Sequence, residues 1–436
     1  MAKQEKGGNL MQRVLIITYY WPPAGGPGVQ RWLKFVKYLR DFNIEPVVYI
    51  PSNPHYPLKD ESFVEEVPKG ITVYQHKIFE PYRLAGLFSK KETKRISAGI
   101  IKNTDQSMIE RLLLWVRGNF FIPDARKFWV RPSVQFLSKI ISQERIDTII
   151  TTGPPHSIHL IGYGLKQKYK LQWVTDFRDP WTSIGYHKQL KLTKRAKKKH
   201  KELEKLVLKS ADKIVVTSPT TLLEFKAITD RPIQLITNGY ELQKKDKVRL
   251  DTQFTISHIG SLLTGRNPQN LWKVLAELIR ENAAFKKALR LQLVGVVSED
   301  VLATMYHHGL QAHTELMGYI SHEEALSHQQ KSQVLLLAEI DSKETKGIVP
   351  GKLFEYMAAG RPILAIGPDD WDAGQIINET NSGAVFPHSS HASLKKILID
   401  WFVLYQKEEL SVSSTNLEQY SRKALTKKLA TYLRWE

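Results

Sequence analysis

Residues 13–39, RVLIITYYWPPAGGPGVQRWLKFVKYL, contain the strand, loop and helix that decide the fold class. The run Arg13–Tyr19 is short and apolar, which predicts a buried strand. The apolar residues that follow recur at the spacing of one helical face: Val29, Trp32, Leu33, Val36 and Leu39. A buried strand that leads through a glycine loop into an amphipathic helix predicts a parallel sheet with right-handed crossovers.

The same alternation of short apolar runs and helical patterns continues along the chain. The first series predicts further strands at Pro46–Ile50, Thr148–Thr152, Leu171–Asp176, Lys213–Thr217 and Pro232–Thr237. A second series predicts strands at Phe254–His258, Leu289–Val294, Thr314–Tyr319, Gln333–Ala338, Pro362–Ile366 and Ala384–Phe386. The sequence therefore predicts an α/β protein with two doubly wound, Rossmann-like parallel-sheet domains.

The predicted domains follow from these two series in a chain of 436 residues. The first occupies residues 11–241 and the second residues 253–415. The stretch 242–252 is polar and charge-rich, which is typical of a linker. Residues 416–436 predict one more helix, over Leu417–Leu433.

Charge is distributed unequally between the two halves. Residues 1–250 hold 44 basic and 23 acidic side chains, whereas residues 251–436 hold 19 and 21. The run Lys188–Lys209 alone has ten basic residues and two acidic ones. We expect the first half to meet an anionic partner such as a lipid headgroup, a polyanion or an anionic substrate. The chain has no cysteine, which excludes disulfides, thiolate zinc sites and a cysteine nucleophile.

Two loops of the first half follow predicted strands and carry candidate binding groups. Gly25 and Gly26 lie between a strand and a helix, where backbone amides can approach a phosphate or a carbohydrate closely. A tight strand-to-helix turn explains them equally. In the loop Gly153–Ser157, His156 is placed to donate a hydrogen bond or move a proton, although a single histidine is often structural.

A third loop, Asp176–Trp181, places two carboxylates beside an arginine. Asp176, Arg178 and Asp179 either bind acceptor hydroxyls or form an internal ion pair that fixes the loop. Later in the chain, Asp370–Trp371–Asp372 has the form of a metal motif, but it lies in a loop rich in glycine, proline and aspartate. We therefore predict no metal site.

The second half contains two glycine-containing segments that fit a nucleoside diphosphate. Gly260 and Ser261 follow its first strand, and Arg266 can clamp a phosphate. The segment 347–360, GIVPGKLFEYMAAG, predicts a short helix with Lys352 and Glu355 on one face near its start. A cation with helix amides suits a diphosphate, and a carboxylate suits the hydroxyls of a ribose. A capped surface helix with a local Lys–Glu pair is the structural alternative.

Taken together, these loops resemble those of the retaining glycosyltransferases of the GT-B fold, family 4, or glycosyl transferase group 1. The resemblance rests on residues 20–28, 153–157, 176–181, 238–239, 260–266 and 347–360. It implies two Rossmann-like domains that face a cleft, with the acceptor in the first domain and the nucleotide sugar in the second. It also implies that the C-terminal helix crosses back to the first domain.

The resemblance assigns roles to individual residues. Arg266 and Lys352 correspond to the cations at the diphosphate, and His156 corresponds to the active-site histidine beside the donor sugar. Glu355 corresponds to the glutamate that holds the ribose. The remaining residues of the implied nucleotide-sugar site are Asn238, Gly260, Ser261, Gly347, Ile348, Val349, Pro350, Gly351 and Leu353. The acceptor and phosphate side corresponds to two loops, one with Gly25 and Gly26 and the other with Asp176, Arg178 and Asp179.

Two positions depart from the family pattern. A glutamate is common eight positions before Glu355, where this chain has Gly347. The position after Gly260 is often arginine, and here it is Ser261. The usual contact to the donor sugar hydroxyls is therefore not predicted with the same residues.

The predicted function is transfer of a sugar from a nucleoside diphosphate sugar to a hydroxyl acceptor, with retention, in cell-surface polysaccharide or glycolipid synthesis. No cofactor and no metal are expected. The expected partners are the donor, a glycan, lipid-linked or phosphorylated acceptor and an anionic membrane surface, but not nucleic acid. We expect a cytoplasmic protein, peripheral on the inner face of the plasma membrane. The alternatives are a GT-B-fold sugar-nucleotide epimerase and a catalytically weak polyanion- or membrane-binding scaffold.

Overall fold

The computed structural model describes residues 11–80, 108–183, 187, 190–241 and 248–434. The chain divides into two compact units. Unit 1 comprises residues 1–237 together with 422–436, and unit 2 comprises residues 238–421. Residues 242–247 of the predicted linker lie outside the described residues.

The described part of unit 1 is built on a parallel sheet with the strand order β3-β2-β1-β4-β5-β6-β7. The interior strand β1 carries Leu15 opposite Val47 of β2 and Ile149 of β4. The strands are β1 (Gln12–Ile17), β2 (Ile44–Pro51), β3 (Thr72–His76), β4 (Thr148–Gly153), β5 (Gln172–Phe177), β6 (Lys213–Val216) and β7 (Ile233–Leu235). The central strands are buried, which explains their nearly continuous apolar sequences.

Helices cover both faces of this sheet. They are α1 (Pro27–Leu39), α2 (Ser62–Glu65), α3 (Met108–Phe120), α4 (Lys127–Gln143), α5 (Ser157–Lys166), α6 (Lys194–Ser210), α7 (Pro219–Lys226) and the final helix of the chain, α15 (Arg422–Leu433). The core on one face joins the apolar stripe of α1, including Trp32 and Leu33, to Leu425 and Leu429 of the final helix. The core on the other face contains residues of α4, α5 and α6.

The described part of unit 2 repeats this architecture with the parallel strand order β10-β9-β8-β11-β12-β13. Its strands are β8 (Phe254–Ile259), β9 (Leu289–Val294), β10 (Thr314–Gly318), β11 (Val334–Ala338), β12 (Ile363–Gly367) and β13 (Gly383–Pro387). Its helices are α8 (Gln269–Glu281), α9 (Ala283–Ala288), α10 (Glu299–His307), α11 (His322–Lys331), α12 (Gly351–Ala359), α13 (Asp372–Glu379) and α14 (Ala392–Gln406).

The two doubly wound sheets predicted from the sequence are confirmed, and every predicted strand forms. Strand β3 was not predicted, because it is a half-buried edge strand with polar side chains. The predicted C-terminal helix is interrupted: Leu417–Tyr420 forms a 3-10 turn, and Ser421 pairs with Tyr240 before α15 begins at Arg422. Among the described residues, no helix is both long and apolar enough to cross a membrane.

Candidate functional site

The first turn of α12 lies against the end of β8 in unit 2. The backbone N–H of Ile259 donates to the buried hydroxyl of Tyr356 at 2.8 Å, which ties the helix to the strand. Gly260 follows with a φ of 112°, and a Cβ there would lie 2.7 Å from Nζ of Lys352. A side chain at position 260 would therefore adopt an unfavourable backbone conformation and would have to displace the ammonium group of Lys352.

Lys352 is oriented by a histidine of β8. Nζ of Lys352 lies 3.3 Å from Nε2 of His258, and Nδ1 of His258 lies 3.0 Å from the carbonyl oxygen of Leu336. Burial and the charge of Lys352 hold the pKa of His258 well below its usual value, so the imidazole is neutral. Its Nδ1–H therefore donates to the carbonyl, and Nε2 accepts from the ammonium group.

The ammonium group of Lys352 is itself perturbed. Burial and, after it, the charge of Arg266 lower the pKa of Lys352 to about 8, against the opposing charges of Glu339 and Glu355. Two cations are thus close enough to repel each other at the carboxyl end of the unit 2 sheet. The N-terminus of α12, where the amides of Gly351 and Lys352 precede the first intrahelical hydrogen bond, adds positive potential at the same place.

Arg266 forms a two-bond ion pair with Glu339, the residue directly after β11. Nε and Nη2 of Arg266 donate to the carboxylate at 2.9 and 3.2 Å. The Glu339 side chain is fully buried, whereas the Arg266 side chain is 33% exposed. The backbone N–H of Ile340 also donates to Glu339, at 2.9 Å. Glu339 therefore binds Arg266 on its buried side, and the exposed part of the guanidinium group stays open to a ligand.

Glu355 lies on the same helical face as Lys352 and accepts from Nε2 of Gln329 at 3.2 Å. Ser261 is exposed, and the residues Gly347, Val349, Pro350 and Gly351 are half-buried. The Ile348 backbone is not open to a ligand, because its N–H donates to Thr345 at 2.9 Å and its oxygen accepts from Trp371 at 2.6 Å.

Leu353 contributes nothing directly to a ligand site. Its side chain is part of the buried core of unit 2, and its backbone N–H donates to the oxygen of Pro350 at 3.1 Å. The expectation that Leu353 contacts the nucleotide sugar therefore finds no open group on that residue. The half-buried side chain of Ile348 remains open to a contact, and its proposed role stays a prediction.

In unit 1, the glycine loop meets Arg178. Gly26 precedes α1 with a φ of 98°, a conformation that favours glycine, and Gly25 packs against Leu58. A Cβ on Gly28 would overlap the guanidinium group of Arg178. Arg178 also donates from Nε to the oxygen of Gly153 at 3.2 Å. Arg178 thus joins the loops after β1 and β4.

Asp176 is held inside unit 1. Its carboxylate accepts from Nη2 of Arg31 at 2.8 Å, from Nε1 of Trp32 at 2.8 Å and from the hydroxyl of Thr152 at 2.8 Å. Burial raises the pKa of Asp176, but the charge of Arg31 and the hydrogen bonds from Arg31, Thr152 and Trp32 together bring this pKa below its usual value. The ion-pair interpretation accounts for Asp176, but its partner is Arg31 rather than the neighbouring Arg178. Burial raises the pKa of Asp179, against the charge of Arg178.

His156 is almost fully buried and stacks on Trp181, with ring centroids 4.9 Å apart and planes inclined by 3°. Within the described residues, neither of its ring nitrogens has a hydrogen-bond partner. Burial, followed by the charges of His159 and other neighbours, holds the pKa of His156 well below its usual value. The ring is therefore neutral and has one donor and one acceptor unused.

The last two observations concern Asn238 and metal binding. The side-chain oxygen of Asn238 is buried without a partner in the described part of the chain. No group of three or more histidine, aspartate or glutamate side chains among the described residues could hold a metal ion.

Sequence reasoning missed Arg31, His258 and Glu339. His258 lies inside an apolar strand, where a histidine is usually structural. Glu339 offered a signal, because an acid directly after the buried run Val334–Ala338 lies at a sheet edge where ligands bind. Its pairing with Arg266 depends on a contact between residues far apart in sequence.

Residues 240–422 match the family model described as "Glycosyl transferases group 1". The whole chain is similar to a glycosyltransferase from Rickettsia africae ESF-5, at 14% identity with a TM-score of 0.56 and coverage of 97% of this chain and 94% of that one. It is also similar to the lipopolysaccharide outer core galactosyltransferase WaaB, at 14% identity with a TM-score of 0.57 and coverage of 97% and 99%.

A third similar structure contains UDP-2-fluoro glucose. It is described as trehalose-6-phosphate from E. coli bound with UDP-2-fluoro glucose, at 12% identity with a TM-score of 0.55 and coverage of 97% of this chain and 96% of that one. Comparison with curated proteins gives no match. The family match covers residues 240–422, almost all of unit 2, and the structural similarity shows that the chain has the two-unit fold of these proteins.

Proposed function

We propose that this protein is a group 1 glycosyltransferase that moves a sugar from a nucleoside diphosphate sugar to a hydroxyl acceptor, with retention of anomeric configuration and without a metal ion. The observation that carries the proposal is the pair of cations, Lys352 and Arg266, beside Gly260. The charge of Arg266 contributes to the lowered pKa of Lys352, which shows that the two cations repel each other. An anion bound between the two side chains would reduce this repulsion.

The chemistry follows from where charge develops. When the anomeric bond breaks, negative charge grows on the diphosphate that leaves. Lys352, Arg266 and the first amides of α12 are fixed before the reaction, so they stabilise this charge more strongly in the transition state than in the bound substrate. The outer donors of Arg266 stay available, because Glu339 occupies its inner side.

Glu355 is proposed to accept from the ribose hydroxyls of the donor. Gln329 donates to one carboxylate oxygen at 3.2 Å, which orients the carboxylate and leaves its other oxygen for the sugar. Gly347, Val349 and Ser261 line the donor side in this proposal. Because Gly347 has no side chain, the donor sugar must be held by other groups than the glutamate common in the family.

In unit 1, His156 is proposed to form a hydrogen bond with a sugar hydroxyl. A neutral, buried imidazole with two unused nitrogens gains more from such a bond than an exposed one. Gly25, Gly26 and Arg178 are proposed to line the acceptor or phosphate side. Retention implies attack from the side of the leaving group, with the acceptor proton passing to the diphosphate as it departs.

The second candidate function is a sugar-nucleotide epimerase of the same fold. It uses the same diphosphate site, but it must also add and remove a proton at the sugar ring. The acids Asp176 and Glu339 are occupied by arginines, which disfavours them as proton carriers. A nucleotide sugar whose configuration changes without an acceptor would favour the epimerase.

The proposed acceptor is a glycan, a lipid-linked sugar or a phosphorylated hydroxyl compound of cell-surface polysaccharide or glycolipid synthesis. Peripheral association with an anionic membrane is part of the proposal, because residues 1–250 carry an excess of basic side chains. A membrane-bound enzyme meets a lipid-linked acceptor in two dimensions.

The proposal is tested first by thermal stability with UDP-, GDP-, ADP-, CMP- and dTDP-sugars, with and without EDTA. A saturating donor should raise the Tm by about 5 °C through mass action. The shift should persist in EDTA and disappear in Glu355→Ala. Glu323→Ala, an exposed glutamate of the same unit, is the matched control.

The stabilising donor is then incubated with glycan and lipid-linked acceptors, and the anomeric configuration of the product is read by NMR. A product with inverted configuration contradicts retention, and loss of turnover in EDTA contradicts metal independence. If no donor stabilises the protein, the catalytically weak scaffold becomes the better account.

A further inference from the structure

We propose that α3 and the loop after it form, together with the lysine-rich face of α6, a surface that docks on an anionic lipid bilayer. This inference deepens the membrane part of the proposed function by assigning residues to it. It does not depend on sugar transfer, so the two can fail separately. Below, this surface is called the docking surface.

The first observation is an apolar stripe of α3 that faces solvent. Met108, Leu112 and Trp115 are spaced to share one face of the helix, and their side chains are 86%, 59% and 37% exposed. The opposite face is apolar as well, because Leu114 packs with Leu190. A helix that is apolar on both faces normally has a partner on each, and the outer face of α3 has none within the described residues.

The second observation is that aromatic residues extend this stripe beyond the helix. The rings of Trp115 and Phe120 lie 5.6 Å apart, those of Phe121 and Phe128 lie 6.2 Å apart, and Phe79 lies 5.7 Å from Phe128. Phe120 is 60% exposed and Phe79 is 57% exposed. Contiguous exposed aromatic side chains are unusual on a protein that meets only water.

Cations lie among these rings. Nζ of Lys127 lies 5.5 Å from the ring centre of Phe121 and 5.2 Å from that of Phe128, and it donates to the oxygen of Phe120 at 2.6 Å. Arg111 is exposed one position before Leu112. Aromatic rings with long cationic side chains beside them match the boundary between lipid headgroups and acyl chains, where the rings enter and the charges meet phosphates.

The third observation is the charge of α6, which begins next to α3. The backbone N–H of Thr193, the N-cap of α6, donates to the side chain of Asn119 at 2.8 Å. The buried side of α6 includes Ala196 and Val207. Its exposed lysines are Lys194, Lys197, Lys198, Lys199, Lys201, Lys205 and Lys209.

These lysines are almost unpaired. Within the described residues, one ion pair reaches this face, between Lys198 and Glu202 at 3.9 Å. Stable attachment to a membrane generally needs two signals, an apolar insertion and a basic patch. The aromatic stripe and α6 supply one each. A nucleic acid would use the lysines but would leave the aliphatic side chains of α3 in water.

The binding experiment uses the full chain and two kinds of vesicle, phosphatidylcholine alone and phosphatidylcholine with an equal amount of phosphatidylglycerol. We expect sedimentation with the mixed vesicles and little with the neutral ones. Binding should weaken, but not vanish, when salt is raised from about 0.05 M to about 0.5 M, because salt screens the lysines and not the apolar insertion.

Two sets of substitutions divide the surface into its parts. Changing Lys194, Lys197 and Lys201 to glutamate should weaken low-salt binding by more than about 100-fold, at about fivefold for each charge removed. Changing Leu112, Trp115 and Phe120 to serine should abolish the binding that persists at high salt. The matched controls are Lys427→Glu with Lys428→Glu on α15 and Leu223→Ser on α7, all exposed and in unit 1.

Insertion is read directly from Trp115, the exposed tryptophan of the described chain. Brominated acyl chains should quench part of the fluorescence of the wild type, and this quenching should be lost in Trp115→Phe. Circular dichroism and Tm confirm that each variant is folded.

Several results would overturn the docking surface. If the wild-type protein stays in the supernatant with mixed vesicles, the surface does not bind a membrane. If the control substitutions reduce vesicle binding as much as the test substitutions do, the membrane-binding site lies elsewhere on the protein. A dimer in sedimentation velocity that the serine variant dissociates makes the apolar stripe a contact between two copies. In each case, the nucleotide-sugar stabilisation of the wild type still tests the proposed transferase.

Discussion

Each unit holds an arginine–carboxylate pair that involves the residue at or just after the end of a central strand, Arg31–Asp176 in unit 1 and Arg266–Glu339 in unit 2, and these two pairs differ in how far the arginine is exposed. In unit 1, the side chains of Arg31 and Asp176 are 0% and 1% exposed. In unit 2, Glu339 is fully buried, but Arg266 is 33% exposed. The same two chemical groups thus serve different purposes.

The hydrogen bonds explain the difference. Arg31 donates to Asp176 and also to the backbone oxygens of Ile236 and Thr237, at 2.9 and 2.7 Å, so its donors are consumed inside the fold. Arg266 gives two of its five N–H groups to Glu339. The buried pair, in which Arg31 uses four of its five N–H groups inside the fold, stabilises unit 1. In unit 2, the buried acid orients a partly exposed cation for a ligand.

The largest expected effect is on the closed pair. Asp176→Ala leaves Arg31 buried without its counter-charge, which should lower the free energy of unfolding by about 3–5 kcal/mol. Chemical denaturation measures it. Asp41→Ala removes an exposed partner of Lys423 from the same unit and should cost about 1 kcal/mol or less. Equal losses in the two variants would mean that burial does not distinguish the pairs.

The next largest expected effect is on the nucleotide affinity of unit 2. Lys352→Met keeps the volume of the side chain and removes a charge-assisted hydrogen bond worth about 2 kcal/mol to the diphosphate. The Kd of the stabilising nucleotide should rise about 30-fold, with the Tm of the free protein unchanged or higher. Calorimetric titration measures the Kd. A destabilised variant with unchanged Kd would place Lys352 in the fold rather than in the site.

Two glycines sharpen the comparison at a smaller scale. Gly26→Ala in unit 1 meets no neighbour within 4 Å, so it should cost only backbone strain, about 1–2 kcal/mol in unfolding free energy. Gly260→Ala in unit 2 carries the same kind of strain and also pushes Lys352 aside. Nucleotide affinity should therefore fall in Gly260→Ala, and equal affinities in the two variants would argue against a site at Gly260.

The smallest effect is a change in pH dependence. Protonated Lys352 binds the diphosphate, so affinity should be full below the lysine pKa of about 8 and should fall as the pH rises through it. Glu339→Gln removes a charge that keeps this pKa up, so the fall should begin about one pH unit lower or less. Binding curves between about pH 6 and 10 test this. Glu323→Gln should leave the curve in place, and an unshifted Glu339→Gln curve would separate Glu339 from Lys352.

The fold could be predicted from the sequence because buried parallel strands consist of short runs of apolar residues. Strand β3 was missed because a half-buried edge strand such as Thr72–His76 has no apolar run to detect. Element order and chemistry also predicted that Lys352 and Glu355 share one helical face, since that spacing is local.

The rest of the site depends on contacts between distant residues. Nothing near Asp176 in the sequence indicates that Arg31 would take its carboxylate. Likewise, Glu339 and His258 acquire their significance only when β8 and β11 bring them to Arg266 and Lys352. Local spacing predicts which groups are present, and the sheet decides which of them are left free.

The final helix also has a consequence for how the protein is made. The apolar stripe of α1 shares its core with Leu425, Leu429 and Leu433, which leave the ribosome only after all of unit 2. Unit 2 is continuous in sequence and can fold as it emerges. The nascent first unit must wait with Trp32 and Leu33 uncovered, so the order of completion on the ribosome is the reverse of the order of synthesis.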